Sequence, residues 1–313
     1  MNVVEQERLK MNWTEKYRPK TVEKIVGQDR FVDDARGWMA NGDMPNVLFY
    51  GSAGTGKTTA GIILAKHFLG EHYESHCIEI NASQDRKLET IRTTVADFAS
   101  WKGNPEVPFK IILFDELDGM HRDAQRALKR TMERATSVRF IITCNDPHDI
   151  DYPIRSRCAN YAFSRVNVND MCSMLSGICV KENVSFNYEE LKVFAESLNG
   201  DMRRAINELQ ASAYSNRNLI DVSKDFISRY QEVFNLINKN KQQEALDILL
   251  DEVYRGKDVR LMAQNLHQVV LDSEEDRRTK FKWLRLLGEM EWRHRMMTPK
   301  IIVSWFTAQF MNE

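Results

Sequence analysis

The chain has 313 residues, 42% of them hydrophobic, enough to bury a sizeable core and to divide into two or three domains. With 44 basic and 45 acidic side chains it is not a uniformly basic nucleic-acid binder, so any such contact has to come from locally clustered cations. Its start lacks an apolar signal region, no run approaches eighteen apolar residues, and its five scattered cysteines include no C-x-x-C pair. An intracellular protein without a membrane partner, disulfide frame or zinc site is therefore expected.

Residues 1–12 read as a charged tail, and Trp13 to Thr21 as an extended arm, because Pro19 disfavours helix at Arg18. A helix carrying Phe31, Ala35 and Trp38 follows, and then a turn at Gly42 and Pro45. Asn46-Val47-Leu48-Phe49-Tyr50 is short and apolar enough for a buried strand. It runs into Gly51-Ser52-Ala53-Gly54-Thr55-Gly56-Lys57-Thr58, which fits G-x-x-x-x-G-K-[ST], and a helical pattern continues from Thr59 to Leu69. Strand, glycine loop and helix together form a phosphate cradle, in which backbone N–H groups converge on the phosphates and the helix N-terminus adds positive potential. Lys57 is placed to reach the β- and γ-phosphates and the Thr58 hydroxyl to ligate Mg²⁺. The chain is therefore expected to bind a nucleoside triphosphate.

Four further strands are expected, over 77–81, 110–114, 139–144 and 161–163, separated by helices. Near-continuous apolar strands alternating with helices point to a parallel sheet covered on both faces. Leu113-Phe114-Asp115-Glu116 delivers two acids at the end of an apolar strand. Behind a phosphate loop the first is placed to hold Mg²⁺ through water and the second to polarise the water that attacks the γ-phosphate. Asn145 ends the next strand, where its amide either orients the same water or shapes a turn.

After residue 164 no strand is expected. Asn187 with Glu190 resembles a capping box, Asn199-Gly200 stops that helix, and Asp201 can cap the next. Arg203 and Arg204 stand in the first turn of this helix against its macrodipole, so an anion is expected to compensate, either a γ-phosphate or a nearby acid such as Asp201. Beyond Asp221 come amphipathic stripes through Phe226, Tyr230, Val233, Phe234 and Ile237, through Ala245, Leu246, Leu249, Leu250 and Val253, and through Trp283, Leu284, Leu287 and Met290. Most of each stripe is core, while Trp283, Trp292 and Trp305 are candidates to pack against sister copies.

Taken together, Trp13 to Pro19, the phosphate loop, Asp115-Glu116, Ser156-Arg157-Cys158 and Gly200-Asp201-Met202-Arg203-Arg204 resemble the small subunits of replication factor C, the sliding-clamp loader of archaea and eukaryotes with related phage loaders. The likeness covers residues 13–215 in motif detail and the helical tail in length and character. It implies an AAA+ phosphate-loop ATPase core over 13–163, a helical lid over 164–221 and an all-α collar over 222–313. Trp13 to Pro19 resembles the family's N-terminal box along the adenine, and Tyr17, Arg18 and Val26 are accordingly assigned to the ATP site with residues 51–59. Asn145 matches sensor 1 and Arg203 sensor 2, and Arg157 matches an arginine that enters the neighbouring subunit's ATP site. For DNA, the likeness favours Arg86 and Arg92 on a helix starting near Ser83, and Arg122 and Arg126 with Lys129 and Arg130 on a helix from His121, over the reading of these charges as solvated faces.

The implied activity is ATP-dependent, Mg²⁺-dependent opening and loading of a sliding clamp onto primer–template DNA, in a ring of five that includes other clamp-loader subunits. Two departures stand out: Ser52-Ala53 replaces the family's usual Pro-Pro, and Leu117 replaces the usual Ala or Cys after the acids. Neither position supplies a phosphate or metal contact. A protein-unfolding ring is the competing reading, because Trp101-Lys102-Gly103 superficially resembles an aromatic pore loop. It precedes the acid-bearing strand, whereas a pore loop should follow the second strand. A non-catalytic scaffold subunit is opposed by intact Lys57, Thr58, Asp115 and Glu116.

Overall fold

The computed structural model describes residues 12–84, 89, 91–215, 219–294 and 296–311. The chain divides into two compact units, Met1–Ser215 and Asn216–Glu313. In the first, α1 (Trp13–Lys16) and α2 (Asp29–Asn41) precede β1 (Val47–Tyr50), which is followed by α3 (Lys57–Leu69) and α4 (Tyr73–His76). After β2 (Cys77–Asn81) come a single π turn (Ile91–Val95) and α5 (Ala96–Ser100), then β3 (Lys110–Asp115), α6 (Arg122–Arg134), β4 (Val138–Cys144), α7 (Tyr152–Arg155) and β5 (Ala159–Ala162). Three helices close the unit: α8 (Val168–Glu182), α9 (Tyr188–Ser197) and α10 (Met202–Ser215). No helix among the described residues is long and apolar enough to cross a membrane.

All five expected strands form, in the order β2-β3-β4-β1-β5 and parallel throughout. Alternation along each strand feeds two cores. Val47, Phe49, Ile111, Leu113 and Ile141 pack under α2 and α3, while Leu48, Ile112, Phe114, Phe140 and Ile142 pack with Ile91, Ala124, Leu128 and Ile154 on the other face. Because β1 lies between β4 and β5, the crevice outside its carboxyl end is where the strand order reverses, the usual binding position in an open α/β sheet.

The structure adjusts four expectations. Trp13 to Lys16 is a helical turn and not extended chain: Asn12 accepts from the Thr14 N–H at 3.1 Å, and buried Trp13 docks against Tyr214, while Pro19 ends the turn early. The last strand starts two residues sooner, its Ala159 accepting its register from Val47, and Phe163 lies just beyond its end. Asn187 does cap α9, but through Glu189 N–H at 2.8 Å. The expected helix start near Ser83 is a turn as far as Gln84, and Arg86 lies outside the described residues.

In the second unit, α11 (Leu219–Asn238), α12 (Gln242–Tyr254), α13 (Val259–Asp272), α14 (Arg277–Arg293) and α15 (Pro299–Ala308) surround Trp283. Its ring lies 4.8 Å from Phe234 and 4.5 Å from Phe310, and its indole N–H donates to Asn238 at 3.0 Å. Trp283 is thus core, which removes it from the candidates for contact with another copy. Trp305 is half-buried under Arg293, and Trp292 remains exposed.

Phe49 is fully buried, with the rings of Phe31 and Phe163 each 4.9 Å away. Phe49→Ala should lower the stability of the first unit by about 3–5 kcal/mol, read as a fall in the urea midpoint at unchanged slope.

Candidate nucleotide site

The phosphate loop turns sharply between β1 and α3, and two of its glycines are required by their surroundings. A Cβ on Gly51 would lie 2.3 Å from the Phe163 carbonyl oxygen, and one on Gly54 would lie 1.9 Å from the Asp201 carboxylate. Both residues also have positive φ, at 140° and 78°. The second contact is informative, because Asp201 caps α10 by accepting from the Arg204 N–H at 3.0 Å. The loop therefore touches the N-terminus of the helix that carries Arg203.

Lys57 opens α3 and is buried, its ammonium donating to the carbonyls of Gly51 at 2.7 Å and Ser52 at 2.9 Å and more distantly to Asn145 at 3.4 Å. Burial depresses its pKa, opposed by the Asp115 and Asp118 carboxylates. The Thr58 hydroxyl donates to Asp115 Oδ1 at 2.7 Å, and Thr143 donates to the same oxygen at 2.6 Å. Thr143 also accepts from the Glu116 N–H at 3.0 Å, so one hydroxyl sets both acids. Glu116 has φ 56°, which turns its carboxylate off the strand axis, and Ser83 donates to it at 2.7 Å. The Asn145 N–H donates to Asp118 at 3.0 Å, holding the residue at the end of β4.

Two adjoining cavities share Gly54, Gly56, Thr59 and Arg203. One is lined by Ala53, Lys57, Thr58, Asp115, Glu116 and Asn145 and has the polarity of a triphosphate site. The other is lined by Tyr17, Arg18, Val26 and Thr55 with Ile25, Met174, Met202 and Ile206, an apolar slot of the kind that takes a base. Gly51 and Ser52 line neither, and serve through their carbonyls on Lys57. Cys144 borders the polar cavity, but burial pushes its thiol up to about 12, so it stays protonated and is no nucleophile near neutral pH.

Oxygen donors from Thr58 and Asp115 side by side suit Mg²⁺, which favours one or two protein carboxylates completed by phosphate and water. Among the described residues no cluster of three or more His, Cys, Asp or Glu forms an all-protein metal cage, and this site needs none.

The remaining expected residues lie apart. Arg157 lines neither cavity: it pairs with Glu133 of α6 and donates to the Pro153 carbonyl at 2.5 Å. Arg122 and Arg126 are exposed on α6, where acids interleave the cations. Arg126 meets Asp123 at 3.1 Å, and Lys129 meets Glu133 at 3.8 Å. Arg92 is exposed on the π turn. The Trp101 ring lies tilted 5.0 Å from that of His76, and the Trp101 carbonyl accepts from the buried ammonium of Lys110. Lys110 begins β3 and Asp115 ends it, so the tryptophan loop sits at the other end of the strand from the site. Thr143 and Ser83 went unassigned at this site from sequence. A threonine inside the apolar run of β4 was the available signal for the first.

The family described as "ATPase family associated with various cellular activities (AAA)" matches residues 47–166. The replication factor C small subunit of Aeropyrum pernix is 40% identical over 242 residues, 77% of this chain and 71% of the relative. That of Staphylothermus marinus is 36% identical over 90% of this chain and 88% of its own length, and that of Methanothermobacter thermautotrophicus 34% over 96% and 97%. Among solved structures, the Thermotoga maritima RuvB Holliday junction branch migration motor superposes with a TM-score of 0.56 at 14% identity, over 80% of this chain and 85% of that one, a likeness of fold alone. The chain is thus a nucleotide-binding AAA+ ATPase.

Lys57→Ala is expected to weaken nucleotide binding, and Glu116→Gln to leave binding near wild type while hydrolysis falls by at least about a hundredfold, from the usual contribution of a general base. Equilibrium binding of a fluorescent ATP analogue and steady-state phosphate release separate the two. Wild-type turnover in Glu116→Gln would remove that residue from the role.

Proposed function

The chain belongs to the replication factor C small subunit family, and we propose on that basis that it is one ATPase subunit of a ring that opens a sliding clamp and loads it onto primer–template DNA. The observation that carries the catalytic half is the convergence of Lys57, Thr58, Asp115, Glu116, Asn145 and Arg203 on one cavity. ATP enters with its base in the slot beside Tyr17, Arg18 and Val26, and its phosphates against residues 51–59. Lys57 then exchanges carbonyl partners for phosphate oxygens, and Arg203 adds charge from the lid. Thr58 and Asp115 would hold Mg²⁺, which would supply charge neutralisation at the phosphates. Glu116, with Asn145 nearby, orients and deprotonates the attacking water.

The partners are further copies or relatives of this chain, the clamp, and DNA bound through its phosphates. Exposed Arg92, Arg122 and Arg126 support that last contact by their position, and Arg86 joins them on its place in the sequence alone. DNA binding should be indifferent to sequence and fall steeply with salt, and charge reversal at Arg86 or Arg126 should flatten the salt slope by about one counterion each. A slope unchanged in both variants would assign them to solvated faces.

Arg157 is proposed to act in trans on the triphosphate of a neighbouring subunit. Arginines in this role contribute roughly 10³–10⁵ in rate in well-studied systems, so Arg157→Ala should bind ATP nearly normally and hydrolyse it poorly. Mixing Arg157→Ala with Lys57→Ala subunits creates interfaces that join an intact loop to an intact arginine, and phosphate release should partly return. Mixed rings that form but stay inactive would overturn the arrangement.

A further inference from the structure

The wall of the base slot formed by residues 12–18 is fastened to the lid helices. Tyr17 lines the slot, and its hydroxyl donates to Glu182 Oε1. The Lys16 ammonium reaches the same oxygen at 2.5 Å. One turn earlier the Trp13 N–H donates to Gln210 Oε1 at 3.0 Å, and its ring meets Tyr214 edge-on with centroids 5.9 Å apart. Glu182 ends α8, and Gln210 and Tyr214 belong to α10. The opposite wall, with Val26, Gly54 and Thr55, belongs to the sheet side of the unit.

Glu182 is an unusual residue for its place. A carboxylate at a helix C-terminus opposes the macrodipole, and this one is largely buried, so it needs compensation from outside its helix. Lys16 supplies the charge and Tyr17 the second donor. Burial and the neighbouring carboxylate both raise the Tyr17 pKa, which keeps the phenol a donor throughout the working pH range.

We propose that Glu182 is a positioning residue for the base end of the nucleotide: it clamps Tyr17 and Lys16 to the lid, so that the base slot closes and opens with lid movement. The proposal rests on reading this cavity as the ATP site. A base seated in the slot contacts both walls at once, so its binding favours the lid placement in which they approach. Glu182 touches neither base nor phosphate, and its effect passes through Tyr17.

The test compares ATP with inorganic tripolyphosphate on the full chain. Glu182→Ala should raise the ATP dissociation constant about tenfold, the scale of a lost charge-assisted hydrogen bond. Tripolyphosphate competition should stay within about twofold, because it has no base. In steady state KM for ATP should rise with kcat nearly unchanged. Tyr17→Phe, which removes one oxygen and stands in if Glu182→Ala fails to fold, should reproduce the loss. The double variant should be no worse than either single one, as for residues acting as a unit. Glu182→Gln, which still accepts from Tyr17, should recover most of the affinity. Equal losses for ATP and tripolyphosphate, additive single variants, or no change in ATP affinity would each overturn the clamp. If Lys57→Ala also leaves ATP binding unaltered, it is the assignment of the cavity to ATP that has failed.

Discussion

Lys57 is a buried ammonium whose hydrogen bonds all go to neutral oxygens, two carbonyls and an amide. A cation desolvated in this way is costly unless an anion meets it, and its depressed pKa expresses that cost. The surrounding acids do not discharge it. Asp115 is taken up by Thr58 and Thr143, Glu116 by Ser83, and Asp118 by the Asn145 backbone. The cavity therefore keeps a positive centre ready for phosphate, with carboxylates beside it already oriented by hydroxyl donors. Preorganisation of this kind is what lets a site stabilise developing charge without first rearranging.

The parallel sheet makes that arrangement possible. Parallel strands end on the same side, so β1, β3 and β4 deliver Gly51, Asp115 and Asn145 to one rim, while their apolar interiors fill both cores. The lid meets this rim where Asp201 abuts Gly54 and where Arg203 borders both cavities. A side chain at Gly54 would displace the Asp201 carboxylate that caps α10, so the glycine serves that close approach as well as its turn. The residues before α2 complete the base slot, tied to α8 and α10 by Lys16 and Tyr17 and by the buried ring of Trp13.

What could be read from the sequence was whatever is local. The phosphate loop, the acid pair after an apolar strand, the five strands and the Asp201 cap each occupy one contiguous stretch, and all five strands formed within a few residues of their expected bounds. The missed features join distant stretches. Thr143 lies 28 residues from Asp115, Ser83 lies 33 from Glu116, and Glu182 lies 165 from Tyr17. Period and spacing carry no information about such pairs, because each depends on which strand ends or helix ends the topology brings together. The arm before Pro19 misled for a related reason. A four-residue helix has little stability of its own, and it forms here because Trp13 has a distant place to bury itself.

The trans role proposed for Arg157 requires that its resting contacts cost little to leave. Its guanidinium is satisfied at home by Glu133 and the Pro153 carbonyl, so it neither hangs free nor attracts stray anions. Both members of the ion pair keep about a third or more of their side-chain surface exposed, and such pairs contribute only about 0–1 kcal/mol. In the proposed trans contact a neighbouring triphosphate would bring several negative charges against this one weak pair. The same Glu133 also lies within 3.8 Å of Lys129, so the proposed departure of the arginine would not leave it unpaired. Under that proposal the exchange is inexpensive in both directions, and the weakness of the stored pair is what would make the arginine available.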